Sequence, residues 1–110
     1  MDAQNLIVIM TDGHDPRYIG AAGNTLMQTP ALDRLAANGT RFANAYTTCP
    51  ICVPARASFA TGRHVHETAC WDNAQAYDGS ISGWAQCLRD AGRSVEAIGK
   101  MHYRHEEDPT

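Results

Sequence analysis

The feature that most restricts the fold of this chain is an unbroken apolar run near its start, Leu6-Ile7-Val8-Ile9-Met10. The run is rich in β-branched residues and lacks the polar alternation of a half-exposed strand, which is the pattern of a central parallel strand covered on both faces. Residues 94–99 form a second candidate strand. The sequence therefore predicts an α/β fold with a largely parallel central sheet.

Helices are predicted between these two strands. The first begins with Thr29 as N-cap and Pro30 at the first helical position, and Gly39 ends it. A later helix begins near Ser82 and ends at Gly92. Apolar residues recur at helical spacing and place one face of each helix in the core: Leu32, Leu35 and Ala36 in the first, Trp84, Cys87, Leu88 and Ala91 in the second. Asp33 and Arg34 are predicted on the solvated face.

Asp12 comes directly after the first predicted strand. Ligands of open α/β sheets bind outside the carboxyl ends of the strands, so its carboxylate is a candidate ligand for a cation. Ca²⁺ takes about six to eight oxygen ligands, so Asp12 alone cannot hold it. The alternative is a turn or cap residue, because Asp is frequent in turns. His14 and Asp15 are interpreted as solvated residues of the same loop.

The stretch from Cys52 to Arg56 places a potential nucleophile and a cation on one helical turn. Pro54 suits a first turn, so Cys52 lies at or just before a helix N-terminus, where backbone N–H groups attract negative charge. Arg56 lies four residues later on the same side of the helix, and its planar guanidinium can bind an oxyanion. This stretch predicts an anion-handling catalytic site.

The alternative for the same stretch is a structural cysteine or a Cys49–Cys52 redox or metal pair. Zinc needs two further ligands, and Cys70 and Cys87 do not form a second closely spaced pair. A redox pair would leave the Pro-x-Arg extension unexplained.

Cys52-x-Pro54-x-Arg56, with Ser58 and Thr61-Gly62-Arg63, resembles the signature of the type I sulfatases of the alkaline phosphatase superfamily. The resemblance implies that another enzyme oxidises Cys52 to formylglycine, whose hydrate attacks the sulfur of a sulfate ester and later expels sulfate. It implies an alkaline-phosphatase-like α/β sandwich whose sheet is flanked by helices. Residues 1–110 would be the N-terminal part of this one catalytic domain, truncated, inactive alone and without a second domain.

The resemblance also implies a metal site. Asp12 matches the family's metal-binding aspartate, with Ca²⁺ the expected ion and Mg²⁺ or Mn²⁺ the alternatives. Gly13 departs from members that carry a second acidic residue at that position, and Arg56 would steady the formylglycine and its metal environment. The remaining metal ligands and the general acid would lie beyond Thr110.

Lys100-Met101-His102 follows the second predicted strand and resembles the family's Gly-Lys-x-His motif. On an extended segment two side chains two residues apart point the same way. The resemblance implies that Lys100 contacts the substrate sulfate and that His102 lies against the formylglycine hydrate. The alternative is an exposed lysine and a loop histidine without a role in chemistry.

Trp71-Asp72-Asn73-Ala74, with Gly-Lys-Met-His, most resembles the choline-sulfatase-like members of the family. An aromatic face can hold a quaternary ammonium, which makes Trp71 a candidate substrate contact, with ordinary packing as the alternative. His64 and His66 precede this loop and are interpreted as supporting or surface residues.

The formal net charge is −3, and the nine Lys and Arg residues form no basic patch, so neither nucleic acid nor a membrane is an expected partner. The apolar run at 6–10 is too short for a signal sequence or a membrane span, and residues 1–4 lack the basic region of a signal sequence. The polar stretch at 104–110 is predicted to be a loop. We expect a cytoplasmic location with the four cysteines as thiols.

The predicted function is a sulfuric ester hydrolase that acts on a small sulfate ester after a sulfatase-maturing enzyme has modified it. The alternatives are a phosphonate or phosphate ester hydrolase of the same superfamily, and a catalytically incomplete fragment or binding module.

Overall fold

The structure, a computed structural model, describes residues 5–103. The chain divides into two compact units, Met1–Ala45 and Tyr46–Thr110. The sequence predictions made for residues 1–4 and 104–110 lie outside the described residues. Within residues 5–103, no helix has the length and apolar character needed to cross a bilayer.

The first unit contains one α-helix, α1, at Pro30–Asn38. It begins after Thr29 and ends before Gly39, which confirms both predicted boundaries. Two single turns of 3-10 helix precede it, at Pro16–Tyr18 and Gly20–Ala22.

Asp33 connects α1 to the second of these turns. Its Oδ1 accepts the backbone N–H of Ala21 at 2.7 Å and the hydroxyl of Thr29 at 3.0 Å. The Thr29 hydroxyl oxygen in turn accepts the N–H of Gly20 at 2.8 Å. The prediction of Asp33 as a solvated residue was therefore wrong, because the carboxylate satisfies a backbone donor of the neighbouring turn.

The second unit contains three helices, α2 at Cys52–Thr61, α3 at Val65–Thr68 and α4 at Trp84–Asp90. Helix α2 packs against both of the others. The rings of Phe59 and Trp84 meet edge to face at 5.9 Å, which joins α2 to α4. Gly83 allows this close approach, since a Cβ there would lie 2.8 Å from the carbonyl oxygen of Ala60.

The core of the second unit lies around the first two turns of α2. Ile81 and Tyr103 pack against a buried cluster made of Val53, Ala57, Cys70 and Tyr77. Two members of this cluster are on α2 and two are in the loop that follows α3. The core therefore fixes the start of α2 against that loop.

The two predicted strands are not found in the described residues, whose regular elements are all helical. Residues 5–10 form no β-ladder, and Ile7 and Ile9 are 82% and 84% exposed. A strand is completed by hydrogen bonds to a neighbouring strand, so an apolar β-branched run predicts a preference and does not supply the partner. The structure thus does not confirm the central sheet.

Most of the predicted core positions on these two helices also need correction, because neither helix contains a buried residue. The exposed ones are Leu32 and Leu35 of α1, Trp84, Cys87 and Leu88 of α4, and Ala91 after it; Leu35 is 70% exposed. Helical periodicity identifies the apolar face of a helix but not the layer that covers it. In the described part of the chain, these two faces are not covered.

Candidate active site

Cys52 is the first residue of α2 and is half-buried. Ile51 before it is extended, with φ −118° and ψ 142°, and its carbonyl accepts the first helical hydrogen bond, from the N–H of Ala55 at 3.0 Å. Pro54 is buried in the first turn. The predicted position of Cys52 at a helix N-terminus is confirmed, and the helix dipole there favours negative charge.

Lys100 is a predicted site residue that contacts this cysteine. Its Nζ lies 3.8 Å from the Cys52 Sγ, within hydrogen-bond reach of a sulfur acceptor. The two residues are 48 positions apart. An ammonium group and a helix N-terminus therefore face the same side chain, an arrangement that favours an anion beside Cys52.

Arg56 connects α2 to the Lys100 segment. Its Nη1 donates to the carbonyl oxygen of Lys100 at 2.6 Å. The guanidinium thus holds the backbone of the residue whose side chain reaches Cys52. In this structure Arg56 orients Lys100 directly, whereas its predicted contact with the formylglycine and the metal stays a prediction.

His102 has a left-handed backbone, with φ +53°. This conformation differs from the extended one expected for the Lys100–His102 pair, and a non-glycine residue adopts it at some cost in strain. The His102 Nδ1 is buried and has no hydrogen-bond partner among residues 5–103. A buried imidazole nitrogen left unpaired in this way is suited to a ligand or to proton transfer.

Two tyrosines fix the segment that carries these residues. The N–H of Tyr77 donates to the carbonyl oxygen of Tyr103 at 2.6 Å, and their rings meet edge to face at 6.4 Å. Burial raises the pKa of the Tyr103 phenol, while the nearby Arg56 guanidinium acts in the opposite direction. Tyr103 therefore stays a neutral packing residue at neutral pH.

The sequence singled out neither tyrosine, and quoted Asn73 only as part of a longer stretch. Asn73 Oδ1 accepts the N–H of Val53 at 2.9 Å, across twenty residues of sequence. A contact over such a distance leaves no periodic signal. Nearby aromatic residues and an Asn in a turn were the only available hints.

Asp12 lies in the first unit, in an exposed segment without regular secondary structure. The residue after it, Gly13, has φ +64°, a conformation that glycine adopts without strain. A carboxylate suits a hard cation such as Ca²⁺, but one carboxylate does not make a site. Among the described residues, no group of three or more His, Cys, Asp or Glu side chains could hold a metal ion.

The remaining candidates lie near the second unit's surface or are free thiols. Trp71 is 55% exposed, and its backbone N–H donates to Gln75 Oε1 at 2.9 Å. His64 and His66 stack with their ring centres 5.6 Å apart, and both are exposed. All four cysteines are free, including Cys49 and Cys52.

Comparison with known proteins gives the family. The Sulfatase family model matches residues 4–108. The chain is similar to arylsulfatase K of Danio rerio, with 34% identity over 93% of this chain and 20% of that protein. It is 38% identical to the N-acetylglucosamine-6-O-sulfatase of Bacteroides thetaiotaomicron over 89% of this chain and 18% of that protein. It is also 38% identical to the choline-sulfatase of Rhizobium meliloti, over 90% of this chain and 19% of that protein.

The chain thus spans about a fifth of the length of the curated relatives it matches. No solved structure matches it significantly. The family domain implies the alkaline-phosphatase-like fold, of which the described residues contain helices. The match covers nearly the whole chain, including Cys52, Arg56, Lys100 and His102. This chain belongs to the sulfatase family.

Proposed function

We propose that the full-length protein is a sulfatase that hydrolyses a sulfate monoester of a small molecule. The observation that carries the proposal is the position of Lys100 Nζ, 3.8 Å from the Sγ of Cys52 at the start of α2. The similarity to relatives named as sulfatases supports the same reaction class. Because the chain spans a fifth of those relatives, the activity is proposed for the full-length protein.

Cys52 is the residue around which the proposed reaction is built. Oxidised to formylglycine by a sulfatase-maturing enzyme, it would supply a hydrated aldehyde hydroxyl as nucleophile toward sulfur. Lys100 would steady the sulfuryl oxygens, since its compact positive charge lies within reach of the nucleophile position. Arg56 would keep Lys100 in place through the carbonyl contact at 2.6 Å.

His102 is assigned to proton transfer at the nucleophile. Its Nδ1 is buried and without a partner in the described part of the chain, so it is available to a bound group. An imidazole accepts a proton at one ring nitrogen and can release it again, which suits His102 to this role.

The proposal includes a divalent cation, Ca²⁺ first, with Mg²⁺ or Mn²⁺ as alternatives. When bound, the cation would polarise a sulfuryl oxygen. Asp12 would supply one carboxylate ligand of the about six to eight oxygens that Ca²⁺ takes, and within residues 5–103 it belongs to no group of three or more His, Cys, Asp or Glu side chains that could hold the ion. Trp71, with its half-exposed ring, is the proposed contact for the alcohol part of the ester.

The deciding experiment replaces the proposed nucleophile. In the full-length protein, Cys52→Ala should lower turnover of an aryl sulfate by at least about a thousandfold, because the nucleophile is lost. Cys87→Ala, which alters an exposed cysteine of α4, is the matched control and should retain full turnover.

Mass spectrometry of the peptide that carries Cys52 tests the modification independently. Formylglycine replaces the thiol group and one Cβ hydrogen by an oxygen, so the peptide should lose the corresponding mass. Wild-type turnover in the Cys52→Ala variant would contradict the proposal. Faster turnover of aryl phosphates or phosphonates than of sulfates would favour the phosphorus-ester hydrolases instead.

A further inference from the structure

The first turn of α2 has an unusual hydrogen-bond partner. The first N–H groups of a helix have no partner within it and are commonly satisfied by an N-cap side chain. Ile51, the N-cap residue here, offers no such side chain. The N–H of Val53 instead donates to Asn73 Oδ1 at 2.9 Å, in a half-buried bond from a separate loop.

The loop holds the Asn73 side chain in place through its own contacts. Asp72 Oδ1 accepts the N–H groups of the two residues after Asn73, at 2.8 and 3.2 Å. Gln75 Oε1 accepts the N–H of Trp71 at 2.9 Å, and the Gln75 carbonyl accepts the Cys70 thiol at 3.0 Å. With Cys70 buried in the core, this turn is rigidly anchored on both sides of Asn73.

We propose that Asn73 is a positioning residue, which fixes the start of α2 and so the distance between Cys52 and Lys100. Val53 is the residue after Cys52, so any shift of its backbone moves the Cys52 side chain. The Lys100 ammonium lies 3.8 Å from Cys52 Sγ, and the backbone carbonyl of Lys100 is bound by Arg56, one turn further along α2. Asn73 thus determines one side of this distance and Arg56 the other.

The catalytic consequence rests on the proposed sulfatase function. A nucleophile displaced by about 1 Å can lose up to about a hundredfold in rate, whereas substrate binding through other groups is little affected. The loss of Asn73 should therefore lower kcat more than it raises KM. A residue that binds the substrate equally well in the ground state and the transition state would instead raise KM with kcat unchanged.

Hydrogen exchange at the Val53 amide tests the positioning without reference to activity. Because Pro54 has no N–H, mass spectrometry with fragmentation to single residues can isolate the Val53 amide. In Asn73→Ala this amide should exchange about tenfold faster or more, since the acceptor that Asn73 supplies is gone. In Asn73→Asp the protection should return, because a carboxylate oxygen accepts the same bond and is favoured at a helix N-terminus.

One amide and one variant serve as controls. The Tyr77 N–H, which donates to the Tyr103 carbonyl, should keep its protection in every variant and so report an intact core. Asn38→Ala removes a side-chain bond to the Arg34 carbonyl in α1 and should leave Val53 unchanged. Unchanged Val53 exchange in Asn73→Ala with an intact core would overturn the proposal.

Kinetics of the full-length protein complete the test. In Asn73→Ala we expect kcat with an aryl sulfate to fall about tenfold or more while KM changes less than about threefold. A raised KM with unchanged kcat would overturn the positioning role in favour of substrate contact. If the wild-type protein hydrolyses no sulfate ester, the sulfatase proposal fails, while loss of Val53 protection still supports the positioning of the helix start.

Discussion

At the scale of single residues, Lys100 is the charged group that lies beside the proposed nucleophile. It is the only lysine among the 110 residues, and its ammonium lies 3.8 Å from the Cys52 sulfur. Its backbone carbonyl is bound by Arg56, so the side chain projects from a fixed point. In the proposed reaction, a fixed positive charge near the nucleophile would stabilise the negative charge that develops on the sulfuryl oxygens.

Replacement of Lys100 should therefore reduce transition-state stabilisation. Lys100→Ala should lower kcat/KM for an aryl sulfate by about a hundredfold to a thousandfold. Lys100→Arg should recover only part of the loss, because a planar guanidinium does not reproduce a compact ammonium. Steady-state kinetics of the full-length protein measure both, with the exposed Arg93→Ala as matched control. If the activity of Lys100→Ala stayed within about threefold of wild type, Lys100 would not be part of the active site.

His102 illustrates which residue properties the sequence could predict. The motif identified the residue type and placed it two positions from Lys100, but the expected extended backbone was wrong. The left-handed φ arises where Tyr103 is tied to Tyr77 by a hydrogen bond and a ring contact. Tyr77 lies 26 positions before Tyr103 in the sequence, so no local sequence pattern encodes this constraint.

At the scale of elements, local chemistry predicted helix boundaries well. Thr29-Pro30 and Gly39 bound α1, and Pro54 correctly placed the start of α2 near Cys52. These signals act through the backbone of adjacent residues, so they need no tertiary partner. The strands at 5–10 and 94–99 depend on neighbouring strands, and the described residues supply none.

Arg56 joins two elements, α2 and the segment after residue 99, and this junction gives a second prediction. Arg56→Ala removes the donor at 2.6 Å to the Lys100 carbonyl, so both Lys100 and His102 should lose their fixed positions. We expect kcat/KM to fall about a hundredfold and amides 101–103 to exchange faster than in wild type.

The matched control for Arg56 is another helical arginine. Arg89 of α4 donates to Gln86 on its own helix, at 2.9 Å, so Arg89→Ala should leave activity and exchange unchanged. Lost activity in Arg56→Ala without faster exchange at 101–103 would mean that Arg56 acts on the substrate directly.

At the scale of the whole molecule, the catalytic candidates of the second unit converge on a small buried cluster. Cys52 adjoins Val53 of that cluster, and Tyr103 packs against it beside His102. Asp12 belongs to the first unit, and its place in a metal site stays a proposal. The sequence identified the chemical groups from motifs, whereas the cluster that aligns them depends on contacts between distant residues.

Two acidic groups, one buried in this core and one half-buried against it, make its stability depend on pH. Burial raises the pKa of the Cys70 thiol, with the nearby Asp72 and Asp78 carboxylates acting in the same direction. Burial likewise raises the pKa of Tyr103. At a pH between the unfolded and the folded pKa of each group, the folded state retains a proton that the unfolded chain has lost. Stability is therefore fully present below the unfolded pKa and decreases as pH rises above it.

We therefore expect the urea midpoint of unfolding, followed by tryptophan fluorescence, to decrease from about pH 8.5 upward, where an unfolded thiol ionises. Cys70→Ala should unfold at lower urea at pH 7, because a buried side chain is lost, but should show a smaller decrease between pH 8 and 10. Cys87→Ala, whose thiol is exposed in the folded state, should keep the wild-type decrease. An equal alkaline decrease in Cys70→Ala and wild type would mean that the Cys70 thiol ionises as readily folded as unfolded, and that the cluster beneath Cys52 is open to water.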